Sequence, residues 1–570
     1  MSERIEIFEL RQPICENVFG ESPCTATGVE CFNTLVTCKD TANYAEAEDP
    51  LSLYFHTECE NPLFIPGMFP TLISAQRSEG VLNIGSADPD KQPLGVRETV
   101  TFTMRDHPYH DRYTDPYQRS RTYNPMAQGT FAGKFLARND NYEGWECAYR
   151  IGKVGDLLGD MRAINYEIES IRAPGSDGVW SVEVSDVLRR ADNNRATIPR
   201  RSRGTLSAEL DSSATSFTLT TPTAEELDAY PAEGLIIIDD EKMEYSRVDD
   251  AFTITRAFDG STAAEHDEGA LVQLAYEIDD RVDAILYDML VNQVGVPAEW
   301  IVFADWQEEA DSWLPTYSYE TVIWKPIGAN QIIGELLRDS TAYIIPDLIN
   351  KRLKLRAIRP TELTKSVTDT DNILLGSFRV QSKPDMRLTQ IWLNYAMRDT
   401  LGSTTERSNF AKLSVRFSDD ADTSGSQKIK EIFSRFLGAS NFTEVNSTTR
   451  RIIERFQGVQ NEYHFALEGD DAESLTLGDV CVIDHRELQD IYGAPAPVSA
   501  QIIAMKEAER GGRVEYTAQP FAFSFSQRLI APDSIPEWTA SSDEEKAKYM
   551  YISDADGLMS DGEPGPTIPS

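Results

Sequence analysis

Hydrophobic and polar positions alternate over most of the chain, the two-residue period of half-buried strands. Before residue 200 the period is regular in Glu98-Thr99-Val100-Thr101-Phe102-Thr103-Met104 and in Val179-Trp180-Ser181-Val182-Glu183-Val184. Turns rich in Gly, Pro and Asp separate such runs from residue 46 onward, which predicts an antiparallel barrel or sandwich. A polar, aromatic stretch from Arg105 to Tyr123 interrupts them and reads as a solvated loop or a protein contact. Residues 204–276 repeat the pattern as a self-contained module, with strands at Ser216–Leu219, Gly234–Ile238, Met243–Tyr245 and Phe252–Arg256. Its acidic turn Asp239-Asp240-Glu241 is explained better by turn chemistry than by paired catalytic carboxylates.

After residue 276 the period lengthens to that of helices. Val282, Ile285, Leu286, Met289 and Leu290 share one helical face, with Asp279 or Asp280 as the cap and Gly295 as the stop. Amphipathic segments at Asn330–Arg338, Gln427–Leu437 and Thr449–Phe456 predict further helices. Ile344–Asp347 and Leu353–Arg356 read as paired strands, and strands return in Gln390–Tyr395 and Val514–Thr517. The fold class is therefore multidomain, mainly β with α+β parts.

Length and charge change this picture. At about 150 residues per domain, a chain of 570 residues predicts three to five domains. The 93 acidic residues outweigh 54 basic ones, a net charge of −39. That excludes tight wrapping around DNA or RNA, because phosphate binding needs neutralising Lys and Arg. An acidic wall can still border a path along which DNA slides, since like charges repel. The apolar run Leu235–Ile238 is far short of the ~20 residues that span a bilayer. The charged start Met1-Ser2-Glu3-Arg4 predicts no signal peptide and synthesis in a cytoplasm.

Cysteine placement brings in chemistry. Four of the seven cysteines, Cys15, Cys24, Cys31 and Cys38, lie close together, separated by eight, six and six residues. Four thiolates make a complete soft-ligand set for zinc or an iron–sulfur cluster. The spacing fits neither ferredoxin runs nor paired zinc knuckles, so a metal site and unligated thiols stay equally open. Cys59, Cys147 and Cys481 read as ordinary buried thiols. His107, His110 and Asp111 form a His-x-x-His-Asp group that no later His or Cys completes. Asp554, Asp556, Gly557 and Glu563 fall on calcium-loop positions, but Ile552 stands at the first ligand position and Pro564 bars the exit helix. A Walker-type phosphate loop, a nucleophile elbow, an HExxH helix and a GxGxxG turn are all missing, so the expectation is a protein that is not an enzyme and has no catalytic residues.

Three stretches together resemble one family. The first is Pro13-Ile14-Cys15, Phe19-Gly20, Pro23-Cys24, Cys31-Phe32-Asn33-Thr34 and Thr37-Cys38-Lys39-Asp40, with Asn43-Tyr44. The second is Thr114-Asp115-Pro116-Tyr117, then Gly129-Thr130-Phe131 and Phe135-Leu136-Ala137-Arg138. The third is Ile238-Asp239-Asp240-Glu241 with Arg256-Ala257-Phe258-Asp259-Gly260-Ser261, Ala263-Ala264-Glu265-His266 and Gly269-Ala270. The pattern is similar to tail-tip (baseplate) hub proteins of long-tailed bacteriophages and gene-transfer particles, the cysteine segment being its distinctive part. The resemblance implies a ring-forming homotrimer at the virion tail tip, whose two barrel-like domains per subunit mimic the sixfold tail tube. It implies Cys15, Cys24, Cys31 and Cys38 as ligands of a structural 4Fe-4S cluster, with zinc as the alternative. Its implied partners are the distal tail protein ring, a central tail fibre protein, a tape-measure protein and genomic DNA that passes without tight binding.

The chain then divides into a cysteine-cluster segment (1–45), a first β-barrel hub domain (46–203), an inserted small β-module (204–276), an α+β domain (277–375), a second β-rich hub domain (376–530) and an acidic tail (531–570). Two other classes stay open: an iron–sulfur redox protein and a receptor-binding tail adhesin.

Overall fold

In the computed structural model, seven strands of the first 185 residues close into a barrel. They are β1 (Arg4–Gln12), β2 (Leu51–Thr57), β3 (Met68–Arg77), β4 (Thr99–Arg105), β5 (Glu146–Lys153), β6 (Arg162–Arg172) and β7 (Val179–Ser185). The order is β1-β2-β3-β4-β7-β6-β5, and β5 pairs back onto β1 with Cys147 opposite Leu10. Every pair is antiparallel except β2 with β3. The structure describes residues 4–58, 67–84, 92–122, 124, 129–192, 196–359, 361, 363–418, 427–458, 460–472, 474–509, 512–521, 529–530 and 549–550.

The two-residue period turns Phe8, Phe55, Phe102 and Trp180 into the barrel, where all are fully buried, and the rings of Phe8 and Phe102 stack 4.3 Å apart. Each such ring contributes about 4–6 kcal/mol by burial, an upper bound set by the extended-chain reference. A helix absent from the alternation reading, Phe131–Arg138, joins β4 to β5. Thr130 caps it by accepting from the Gly133 N–H, and Phe131 packs on Phe55 and Trp180. The four clustered cysteines lie on the coil that connects β1 to β2.

Residues 216–274 form a five-stranded sheet from β8 (Ser216–Thr218), β9 (Glu233–Ile238), β10 (Glu241–Val248), β11 (Ala251–Thr255) and β12 (Gln273–Leu274), in the order β8-β11-β10-β9-β12. It encloses its own core around Ile236, Ile238, Met243, Tyr245 and Phe252.

The helical face predicted after residue 280 is present as Val282–Asp288, continued by a wider π-turn through Val294 and stopped by Gly295 at φ 87°. Its cap differs from the expected one. Asp279 and Asp280 belong to the strand Tyr276–Arg281, and Arg281 takes the cap position without a side-chain capping bond. The helix Ala329–Asp339 and the pair Ala342–Asp347 with Arg352–Ala357 match the sequence pattern. A helix at Phe303–Trp313 was not legible, and that ending at Phe456 starts earlier, at Phe442.

The predicted helix at Gln427–Leu437 is instead a strand, Ile429–Phe433, parallel to Gln390–Met397. Five apolar positions there fit a helical stripe, but an open sheet edge beside Gln390–Met397 offers the backbone a ladder, and tertiary pairing overrides the local period.

A second seven-stranded sheet orders Leu363–Thr368, Val480–Asp484, Val498–Glu509, Arg513–Pro520, Asn461–Glu468 and Arg379–Ser382. Its seventh member, Gly80–Val81, comes from the connection between β3 and β4 and pairs with Ala504 and Met505. The barrel and the helices share one apolar core, whereas this sheet has its own. A separate compact unit holds a short parallel pair, Leu529–Ile530 with Tyr549–Met550. Cys59, the calcium-like positions and the rest of the acidic tail fall outside the described residues.

Candidate functional site

The residues that the sequence singles out meet where the cysteine coil lies on the Arg105–Arg121 loop and the helix Phe131–Arg138. Strand-like contact ends at Cys15, whose backbone bridges Glu46. Asn33, in the left-handed region at φ 61°, closes the coil on itself. Its carbonyl accepts from the Cys15 N–H at 3.0 Å, and its side chain donates to the Cys15 carbonyl at 2.8 Å. Asp40 gathers the next turn, accepting from the Thr25 N–H at 2.6 Å, the Thr25 hydroxyl at 2.8 Å and the Asn43 amide at 3.1 Å. These donors hold the Asp40 carboxyl below its ordinary value.

Arg121 is the main clamp. Its Nε donates to the buried Asp115 carboxylate at 2.5 Å, and its two terminal nitrogens donate to the carbonyls of Glu30 at 3.1 Å and Cys31 at 2.6 Å. The guanidinium groups of Arg121 and Arg138 both lie over the Phe32 ring, 3.9 and 3.8 Å from its centroid. Cation–π contacts of this kind contribute about 0.5–2 kcal/mol each. Arg138 also forks onto Asp111 at 2.8 and 3.1 Å, and Lys134 reaches the same carboxylate at 2.6 Å. Burial pushes Asp111 up, but Arg138 and Lys134 outweigh it and hold the carboxyl below its ordinary value. The Tyr117 hydroxyl accepts from the Phe19 N–H at 2.8 Å, edge-on to the Phe19 ring. The acids of the loop thus serve as anchors for the coil.

The four thiols share one neighbourhood. Burial pushes the Cys31 thiol up, the Asn33 N–H opposes this, and the charges of Cys38, Cys15 and Cys24 add to it. Tyr44 is raised to about 12, first by burial and then by Glu46, Cys15 and Cys38. Each of the four cysteines is half-buried and free. Yet among the described residues no group of three or more His, Cys, Asp or Glu side chains is placed to hold a metal ion. This overturns the expected 4Fe-4S cluster on Cys15, Cys24, Cys31 and Cys38, and equally the zinc alternative. The coil is closed by Asn33 and Asp40 from within and by Arg121 from the neighbouring loop. His107 stacks on Phe131 with centroids 5.8 Å apart, and burial lowers its pKa while Asp106 opposes this, which fits a packed ring. Cys147 and Cys481 are buried, as expected of structural thiols.

A second polar cluster sits in the five-stranded sheet. Asp239, at φ 55°, makes the tight turn between β9 and β10, and Asp240 pairs with Lys325 at 2.6 Å. Glu241, the third acid of the turn, is fully buried. It accepts from Arg256 at 2.7 Å through both oxygens, from the N–H groups of Ala257 and Ala264 at 3.1 and 3.0 Å, and bonds His266 at 3.0 Å. Burial raises Glu241, but the Arg256, Ala264, His266 and Ala257 donors prevail and bring it to about 2. The motif residues Arg256, Ala264 and His266 are therefore legible in retrospect as one network that ties a long loop to a hairpin.

No protein-family model and no curated protein matches the chain. Among solved structures it is similar to a 43 kDa tail protein of prophage MuSo2 from Shewanella oneidensis, at 9% identity and a TM-score of 0.35, covering 79% of this chain and 97% of that one. A tail protein from Neisseria meningitidis is similar at 8% identity and 0.36, covering 78% and 91%. A prophage tail protein from Listeria monocytogenes follows at 10% and 0.33, covering 75% and 86%. At these values the likenesses are too distant to assign a role to any residue.

Proposed function

We propose that the protein is a structural tail-tip (baseplate) hub subunit of a phage or gene-transfer particle. Three copies form a ring that joins the tail tube and distal-tail ring to the central fibre and surrounds the DNA exit channel. The observation that carries this reading is the pairing of two seven-stranded β bodies in one subunit, a closed barrel and a sheet that takes Gly80–Val81 as its seventh strand. Two comparable bodies per chain give a trimer six of them, the count that a sixfold tube presents. The six-part division of the chain belongs to the same reading, although β1 (Arg4–Gln12) is a barrel strand and Leu363–Thr368 a strand of the second sheet, and the cysteine coil acts as a docking loop on the barrel. The acids Asp111, Asp115 and Glu241 are engaged in anchoring ion pairs, which supports architecture over catalysis. Part of the net charge of −39 lines the channel and keeps phosphate from sticking.

Light scattering on the full chain tests the ring. Three copies of a 63.9 kDa chain give about 192 kDa, and class averages in the electron microscope should show six lobes around a hole. A monomer at every concentration, or a ring without that pseudo-sixfold outline, would sink the proposal.

A further inference from the structure

A groove of about 770 Å³ lies between the barrel and the root of the five-stranded sheet. Five arginines line it, Arg189, Arg190, Arg200, Arg201 and Arg203, against the carboxylates of Glu143 and Glu167. That concentration runs against the charge of the whole chain. Three of the five are engaged within the subunit. Arg190 forks onto Glu167 at 2.8 Å and donates to the Gly295 carbonyl at 2.6 Å, and Arg189 pairs with Glu169 at 2.6 Å. Arg200 gives its Nε to the Gln293 carbonyl at 2.8 Å. Arg201 and Arg203 are exposed, and among the described residues neither guanidinium has an ion-pair or hydrogen-bond partner.

The backbone that carries them is held. Buried Gln273 accepts from the Ser202 N–H at 3.1 Å and donates to the Arg200 carbonyl at 2.9 Å, while the Ser202 hydroxyl accepts from the Leu274 N–H at 2.9 Å. A fixed loop presenting the two guanidinium forks of Arg201 and Arg203 loses less entropy on binding than a mobile one.

Guanidinium forks suit carboxylates and phosphates alike. A long polyphosphate would be repelled by the rest of this acidic surface. The chain itself supplies carboxylates: residues 204–276 hold 16 acidic and 3 basic side chains. At the tip of the β10–β11 hairpin, Asp249 and Asp250 are exposed, and their carboxylates have no partner among the described residues. Val248 beside them is 77% exposed.

We infer that the arginine groove receives the acidic hairpin tip of a second copy, so that the barrel of one subunit grips the inserted sheet of the next. Two different surfaces meet in such a contact, and repetition about an axis closes a ring. The inference rests on the ring-forming reading above and supplies one of its contacts.

Sedimentation velocity on the full chain tests it with Arg201→Glu/Arg203→Glu, with Asp249→Lys/Asp250→Lys, and with the quadruple variant that exchanges both signs. Each double variant should weaken self-association at least about tenfold while the circular dichroism spectrum stays that of the folded chain, and the quadruple variant should recover it. Association of the unmodified chain should fall between low salt and about 0.5 M. Trimers that persist unchanged in either double variant overturn the contact and leave the hub reading standing. An unmodified chain that is monomeric throughout overturns both. A labelled single-stranded oligonucleotide that binds the unmodified chain but not Arg201→Glu/Arg203→Glu, with assembly unaffected, assigns the groove to phosphate and also overturns it.

Discussion

At the scale of single residues, the chain uses ion pairs to fasten irregular backbone. Arg121 shows this most directly, because one guanidinium neutralises buried Asp115 and closes two carbonyls of the cysteine coil. Arg121→Ala leaves that carboxylate buried and unpaired, at a cost of about 3 kcal/mol. Urea unfolding should register the loss, and Cys31 should react faster with a thiol reagent; unchanged reactivity would mean that the coil is held elsewhere. Glu241 makes a pH-dependent counterpart. Its carboxyl sits at about 2 in the folded chain against 4.5 as the ordinary value, so its stabilisation is complete above pH 4.5 and is lost as pH falls toward 2. Thermal melts followed through that window should show a falling melting temperature in the native chain and a flatter profile in Glu241→Gln. Asp111, Asp115 and Glu241 were visible in the sequence as acids in turns and loops. Their partners were not: Arg138, Arg256 and His266 reach them across 27, 15 and 25 residues, and Arg121 meets Asp115 within an irregular loop that has no period to read.

At the scale of elements, local period and tertiary pairing divide the credit. The strands at Thr99–Arg105 and Val179–Ser185 follow their alternation, since one face is buried in the barrel and the other meets a different environment. Ile429–Phe433 shows the opposite case, a helical stripe captured by a neighbouring strand. Helix Phe131–Arg138 escaped notice because eight residues amount to about two turns, too few to establish a period. The joint between the two β bodies depends on Gly95, which has φ +86° and lies where a Cβ would come within 2.1 Å of the Val81 carbonyl oxygen. Gly95→Ala should therefore cost at least about 2 kcal/mol and displace the Gly80–Val81 strand. Hydrogen exchange at Leu82, whose N–H donates to the Ile503 carbonyl at 2.8 Å, reads that displacement; full protection in the variant would show that the joint has another support.

At the scale of the whole molecule, composition and topology answer different questions. The charge of −39, the alternation before residue 200, the helical face at 282–290 and the four close cysteines are all properties of neighbours along the chain, and sequence alone determined them. Barrel closure, the loan of Gly80–Val81 to a distant sheet and the gathering of five arginines around one groove join residues far apart in sequence. The cysteines make the distinction plainest. Spacing brought the four thiols near one another, but ligand geometry depends on where each side chain ends up to within a fraction of an ångström. That placement is set by Asn33 and Asp40 within the coil together with Arg121 from the neighbouring loop, contacts that only the tertiary structure brings about.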